Sequence, residues 1–174
     1  MSARFCARCG TRLTVGPVAG RERPHCPACG FIVFRNPVPV GLAVVERDGQ
    51  LLLIRRANPP LQGYWAPPAG HVEIDESVEA ATIRETHEEA GVEVALDGLV
   101  GVYSQADVGV LIIAYRGRVI GGEARAGEDA AEVAFFAPGA LPGHPSPRPG
   151  SALDHWFYGV IDAVTAPWKE VRPL

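Results

Sequence analysis

GHVEIDESVEAATIRETHEEAGV, residues 70–92, places Glu85, Glu88 and Glu89 within five positions of one another and ends on Gly91-Val92. The run from Ser77 to Ala90 favours helix, and Ser77 is suited to the N-cap. On a helix, positions three and four apart are neighbours, so Glu85 faces both Glu88 and Glu89. Each like-charged pair costs roughly 0.2–0.5 kcal/mol, which a solvated acidic face tolerates without any function. A concentrated set of carboxylates is also what a hard divalent cation requires, and Mg²⁺ takes few protein carboxylates, several waters and a substrate phosphate. Ile83 and Ala90, seven apart, are expected to pack on the opposite side, leaving the acids facing an opening and not the core.

The spacing Gly70, Glu76, Arg84, Glu85, Thr86, Glu88, Glu89, Gly91, Val92 resembles the Nudix box, Gly-x5-Glu-x7-Arg-Glu-U-x-Glu-Glu-x-Gly-U, where U is apolar. Every charged and glycine position matches, and Thr86 is the one departure, with weaker local packing expected there. The resemblance implies an α/β fold, a Nudix α/β/α sandwich around a mixed β-sheet.

The chain has 174 residues, 47% of them hydrophobic, with a net charge of −4, which fits one ordinary domain plus a small appendage. Mild acidity argues against nonspecific nucleic-acid binding and implies that a phosphate-bearing substrate is met by metal or by placed arginines. No transmembrane run occurs, and MSARFCARCG lacks the apolar core of a signal peptide, so a cytoplasmic protein is expected. Fifteen of the sixteen basic residues are arginine, which with abundant Ala, Gly and Pro suggests a bacterial source.

All four cysteines lie in the first 29 residues, as Cys6-x2-Cys9 and Cys26-x2-Cys29. The spacing reads as a ribbon holding one structural Zn²⁺ in a closed tetrahedral shell, in preference to disulfides. Arg35-Asn36-Pro37 marks the junction, giving a zinc ribbon over residues 1–35 and a second domain over 36–174. Arg4, Arg8, Arg12, Arg21 and Arg23 make the ribbon locally basic, but no stripe interleaving basic and aromatic residues is evident. Nucleic acid is therefore not expected as a partner.

Beyond the junction, Val38–Glu46 and Leu51–Arg55 flank an Asp48-Gly49 turn and predict a β-hairpin. A proline-rich loop (58–70), the acidic helix, strands near 91–103, 108–119 and 133–136, and a last helix over 151–161 follow. Strands interleaved with two helices suggest layered α/β structure.

What the resemblance implies for the site is metal-dependent hydrolysis of a pyrophosphate bond. Glu85, Glu88 and Glu89, with the Gly70 backbone carbonyl, would hold Mg²⁺ or Mn²⁺; Arg84 would orient Glu85, and Glu76 would support the loop. Family members take the general base either from the box or from a downstream loop, where Glu132 leads Glu128 and Asp129. Arg55 and Arg56 are candidates to grip phosphate, although adjacent strand residues point opposite ways and at most one is expected to face the site. Trp65 is a candidate for stacking on a base, and His71 for reaching substrate. The ribbon, with Gly63-Tyr64-Trp65, is similar to the branch of NADH, ADP-ribose and FAD pyrophosphatases, whose related enzymes suggest a homodimer. The NADH-type signature after the box retains only Ser104 and Gln105 here, which favours ADP-ribose, FAD or another nucleoside diphosphate derivative. NADH or NAD-capped RNA, and a silent nucleotide sensor, remain the alternatives.

Overall fold

The computed structural model describes residues 3–169. They fall into two compact units that divide between Asn36 and Pro37.

In the first unit, β1 (Thr14–Val18) and β2 (Arg21–His25) form an antiparallel hairpin. Each Cys-x-x-Cys segment is a tight turn of the same design. Gly10 N–H donates to the Cys6 carbonyl at 2.9 Å and Cys6 N–H to that of Thr11 at 2.8 Å; Gly30, Cys26 and Phe31 repeat the arrangement at 3.0 and 2.8 Å.

The second unit is built on a seven-stranded mixed sheet. Its strands are β3 (Val38–Arg47), β4 (Gln50–Arg56), β5 (Trp65–Ala66), β6 (Ala69–His71), β7 (Val92–Gln105), β8 (Val110–Gly122) and β9 (Ala130–Phe136). The order is β5-β4-β3-β8-β7, with β6 added to β3 and β9 to β4. Only β3 and β8 run parallel, from Val38 opposite Val110 to Glu46 opposite Arg118. The β3–β4 turn is two residues long, and Asp48 and Gly49 both take positive φ (52° and 75°), as a turn matched to strand twist requires.

Strand β3 is buried on both faces, and its alternation assigns the layers. Leu42 and Val44 join Leu51, Ile112 and Ala114 in a core covered by Phe157, Val160, Ile161 and Val164 of α2 (Ala152–Lys169). Ala43 and Val45 face the other way and join Leu52, Ile54, Val92 and Ala90, the last residue of α1 (Val78–Ala90). A helix on each face of the sheet is the α/β/α sandwich.

Helix α1 starts as expected, with Ser77 Oγ accepting from Ala80 N–H at 3.2 Å, and stops at Gly91. Its packing differs from the expectation. Ile83 is 39% exposed, and the buried face consists of Ala81, Thr82, Thr86, Glu89 and Ala90. Threonine is tolerated there because each hydroxyl donates to the carbonyl one turn back: Thr82 to Val78 and Thr86 to Thr82, both at 2.7 Å. Thr86 is fully buried and satisfied, so the departure from the box motif does not leave an unpaired polar group. The proline-rich loop contains the two short strands β5 and β6, β9 begins three residues early at Ala130, and α2 continues past Ile161 to Lys169.

Candidate metal and pyrophosphate site

Two segments distant in sequence meet at the C-terminal end of α1. The carbonyls that end a helix need donors, and three backbone amides supply them. Gly91 N–H donates to His87 at 2.8 Å, Arg125 N–H to Ala90 at 2.9 Å and Gly127 N–H to Glu89 at 3.1 Å. Gly127 lies so close to the Glu88 carbonyl that any Cβ would collide with it. The loop between β8 and β9 is thereby fastened to the helix, and its next two residues, Glu128 and Asp129, line a cavity of about 260 Å³ with Glu85, Glu88 and Glu89. Asp129 is itself held: its carboxylate accepts from Asn58 Nδ2 at 2.8 Å and its carbonyl from Ala57 N–H at 2.9 Å.

Arg84 organises the box. Its Nη1 donates to Glu85 at 2.8 Å and Glu88 at 3.0 Å, its Nη2 and Nε to Glu76 at 2.6 and 3.1 Å, and Nη2 also to the His71 carbonyl at 3.1 Å. Glu76, which also accepts from Glu73 N–H at 2.9 Å, is held below the usual carboxylate range mainly by the Arg84 guanidinium. One guanidinium thus fixes two cavity carboxylates and ties the loop before the helix to them.

Gly70 sits against this arrangement, because a Cβ built there would overlap the carboxylate of Glu85. Glu89 departs from the expectation that the acids face only an opening. It is 5% exposed and accepts from Ala69 N–H at 2.9 Å. Burial pushes its carboxyl up to about 7, against the opposing pull of the Ala69 amide and the positive charge of Arg56. Clustered carboxylate oxygens, a backbone that only glycine permits and room for bound water suit a hydrated hard cation.

The other candidates are placed as follows. Glu132 lies opposite Arg55 in the β4–β9 ladder and forms an ion pair with it, and it is not among the carboxylates lining the cavity. The pairing shifts register between Arg55 and Arg56, and Arg56 is the one whose charge acts on Glu89. The Nε groups of both arginines are buried with no acceptor among the described residues. Trp65 pairs with Arg55 across β4–β5 and meets Phe136 edge-on, ring centroids 5.0 Å apart. His71 is exposed, and its carbonyl serves Arg84. Nothing linear shows that Gly127 docks on the helix end, so the sequence alone ranks Glu132 ahead of Glu128 and Asp129.

In the first unit the Sγ atoms of Cys6, Cys9, Cys26 and Cys29 all lie within 4.8 Å of one another. Separations of 3.6 Å for Cys6–Cys29, 3.5 Å for Cys9–Cys26 and 3.6 Å for Cys9–Cys29 are far from the ~2.05 Å of a disulfide. They approach the ~3.8 Å edge of a tetrahedron with Zn–S bonds of about 2.3 Å. The four residues fit a closed structural zinc shell.

Residues 35–157 match the family model described as the NUDIX domain. An ADP-ribose pyrophosphatase of Methanocaldococcus jannaschii is 40% identical over 116 residues, 64% of this chain and 69% of that protein. An NAD-capped RNA hydrolase NudC of Pseudomonas aeruginosa is 35% identical over 147 residues, 83% of this chain but 51% of that protein, so the chain spans about half of that relative's length. Among solved structures, a NUDIX hydrolase from Nitrosomonas europaea superposes with a TM-score of 0.76 at 30% identity, covering 80% of this chain and 81% of the other. With the box, the sandwich and the family model in agreement over most of its length, the chain belongs to the Nudix family of pyrophosphohydrolases.

Proposed function

We propose that this protein hydrolyses the pyrophosphate bond of a nucleoside diphosphate linked to another moiety, ADP-ribose or FAD in type, and releases AMP or another nucleoside monophosphate. The observation that carries this reading is the single cavity in which three box carboxylates meet Glu128 and Asp129 of a distant loop. Glu85, Glu88, Glu89 and the Gly70 backbone would hold Mg²⁺ or Mn²⁺, and on this reading the sequence divides into a zinc ribbon, 1–35, followed by a hydrolase domain, 36–174. A bound divalent cation supplies charge neutralisation on the phosphate oxygens and acidifies a bound water.

The chain's own residues do the rest. Arg84 keeps Glu85 and Glu88 in place before substrate arrives, so little ordering is needed at the reacting centre. Arg56, whose charge acts on Glu89, offers guanidinium donors to the diphosphate, whereas Arg55, the other candidate, is paired with Glu132. In the hydrolysis, the water oxygen forms a bond to phosphorus, the bridging P–O bond breaks toward the leaving phosphate, and a carboxylate takes the water's proton. Glu128 or Asp129 is better placed for that proton than Glu132, whose charge is engaged by Arg55. Glu76 supports the loop through Arg84.

A second reading rests on the NudC relative, whose similarity extends over most of the chain. On it, the substrate is an NAD(H) pyrophosphate, free or at the end of RNA. The deciding experiment incubates the purified protein with ADP-ribose, FAD, NADH, NAD⁺ and an NAD-capped RNA, each with Mg²⁺ or Mn²⁺, and identifies products by chromatography. AMP formed fastest from ADP-ribose or FAD supports the first reading, and preference for NADH or the capped RNA the second. Binding without turnover of any of them overturns both in favour of a nucleotide sensor.

A further inference from the structure

We infer that the zinc ribbon is a binding surface for single-stranded nucleic acid. Three features of the described residues carry this inference independently of which small substrate the hydrolase cleaves.

The first is charge. Residues 1–36 hold six arginines and one glutamate, net +5, whereas the rest of the chain holds ten basic and nineteen acidic side chains. A mild overall acidity therefore conceals a small, strongly cationic unit. None of these six arginines takes part in an ion pair among the described residues, where every ion pair belongs to the second unit. Arg4, Arg8, Arg12, Arg21 and Arg35 are exposed, and Arg23 is half-buried.

The second is the company the arginines keep. Arg4 and Phe5, and Phe34 and Arg35, are neighbours in the sequence, and folding adds pairs between residues far apart in it. The Arg8 guanidinium lies 5.1 Å from the centroid of the Phe31 ring, joining the two knuckles, and that of Arg23 lies 5.2 Å from the centroid of Phe34. Phe5 and Arg12 face each other in an antiparallel bridge, a position that puts their side chains on the same side of the backbone pair. The expectation that the ribbon lacks a basic and aromatic pattern therefore does not hold once the chain is folded.

The third is exposure. Phe5 and Phe34 remain 62% and 59% exposed beside these arginines, with Val15 at 68%. A ribbon stapled by metal needs little apolar core, but that does not explain aromatic rings left open next to guanidinium groups that have no carboxylate partner among the described residues, Arg23 donating only to the Val18 and Ala19 carbonyls. Phosphates spaced along a flexible strand satisfy the arginines, and unpaired bases offer π-faces to the phenyl rings, so a single strand uses both features together. A duplex hides its base faces and an acidic protein surface has none to offer.

The test uses the full-length, zinc-loaded protein without added Mg²⁺ and a fluorescein-labelled 12-nucleotide oligouridylate, followed by anisotropy. Binding in the micromolar range at about 50 mM salt is expected, weakening steeply as salt rises. Two double variants separate the contributions. Arg8→Glu with Arg23→Glu should weaken binding by about a hundredfold, and Phe5→Ala with Phe34→Ala by about tenfold or more, consistent with the loss of base stacking. Both should retain one zinc per chain and unchanged turnover of ADP-ribose or whichever small substrate is active. If the alanine pair loses its zinc, Phe5→Leu with Phe34→Leu, which keeps bulk but not the aromatic face, replaces it. The inference is overturned if no binding appears, if it survives the arginine reversals, or if it is lost with them but unaffected by the phenylalanine changes while heparin competes equally. The last result would make the ribbon a general polyanion surface.

Discussion

Arg55 and Glu132 face each other across the β4–β9 ladder and neutralise one another. A carboxylate so engaged is a poor acceptor for a water's proton, while Glu128 and Asp129 stand at the acid cavity. Glu132→Gln is expected to keep kcat within about threefold of the parent. Glu128→Gln or Asp129→Asn, whichever removes the base, should lower kcat by about 10²–10⁴-fold and abolish the acidic limb of its pH profile. Equal activity in both loop variants would return the base to the box.

Gly70 is defined by what it leaves room for. Alanine there would displace the Glu85 carboxylate, which Arg84 holds in place. Gly70→Ala should therefore cut turnover by about 10²-fold or more through misplacement alone. Titration calorimetry with Mn²⁺ should show weakened binding, and circular dichroism an intact fold. Parent-like Mn²⁺ affinity would detach Gly70 from the metal site.

Glu89 links pH to metal. Burial raises its carboxyl from an ordinary 4.5 to about 7, so the folded protein holds this proton more tightly than the unfolded chain does. The associated stability is fully present below about 4.5 and is lost as pH rises through about 7. Thermal melts of the metal-free protein should show this component as a decline in Tm between about pH 5 and 8, absent in Glu89→Gln. Mg²⁺ should offset the decline, because the cation binds the ionised carboxylate. A parent and variant with identical slopes would assign the decline to other groups.

Asp154 carries the opposite sign. Its buried carboxylate accepts from the Arg148 backbone N–H at 2.9 Å, from Arg148 Nε and Nη2 at 3.0 and 2.7 Å, and from Ser151 Oγ at 2.7 Å. The Arg148 guanidinium holds it well below the usual carboxylate range. Stability from this group is present above about pH 4 and lost as pH falls below that. Asp154→Asn should lower Tm at neutral pH by an amount on the order of 5 °C, and melts at successively lower pH below about 4 should show the gap narrowing.

Zinc removal is expected to act on the first unit. Its hairpin is short and its buried core is little more than Cys6 and Cys26, and small metal-centred folds depend on the ion. A strong chelator should therefore release amide protection at Cys6, Cys26 and the non-proline residues of the β1–β2 hairpin in hydrogen exchange. Protection unchanged on complete zinc loss would show that the hairpin stands without the metal.

How far the sequence reveals these features depends on the range of the interactions. The box helix, the Asp48-Gly49 turn and the cysteine pairs are local patterns, and each is visible without tertiary context. Apolar character places Ile83 on the buried face of α1, but Thr82 and Thr86 are buried there instead by donating to their own helix. Glu132 and Asp129 differ by three positions in one acidic stretch, and only the β9 register and the docking of Gly127 separate a paired acid from a cavity acid. Strands β5 and β6 are two and three residues long, too short for a periodic signal. Helix α2 runs on past Ile161 to Lys169 and includes Pro167, although proline usually marks a helix end. The arginine–phenylalanine pairs of the ribbon are equally nonlocal.

The parallel β3–β8 ladder joins residues 38–46 to residues 110–118, and the loop bearing Glu128 and Asp129 comes after it in the chain. Contacts between segments so far apart form late, since a long intervening stretch must first be ordered. On the ribosome, the whole box emerges before β8 and well before that loop. A nascent chain thus carries the helix acids for some time without the partners that complete the cavity, and hydrolytic competence is deferred until the sheet has closed.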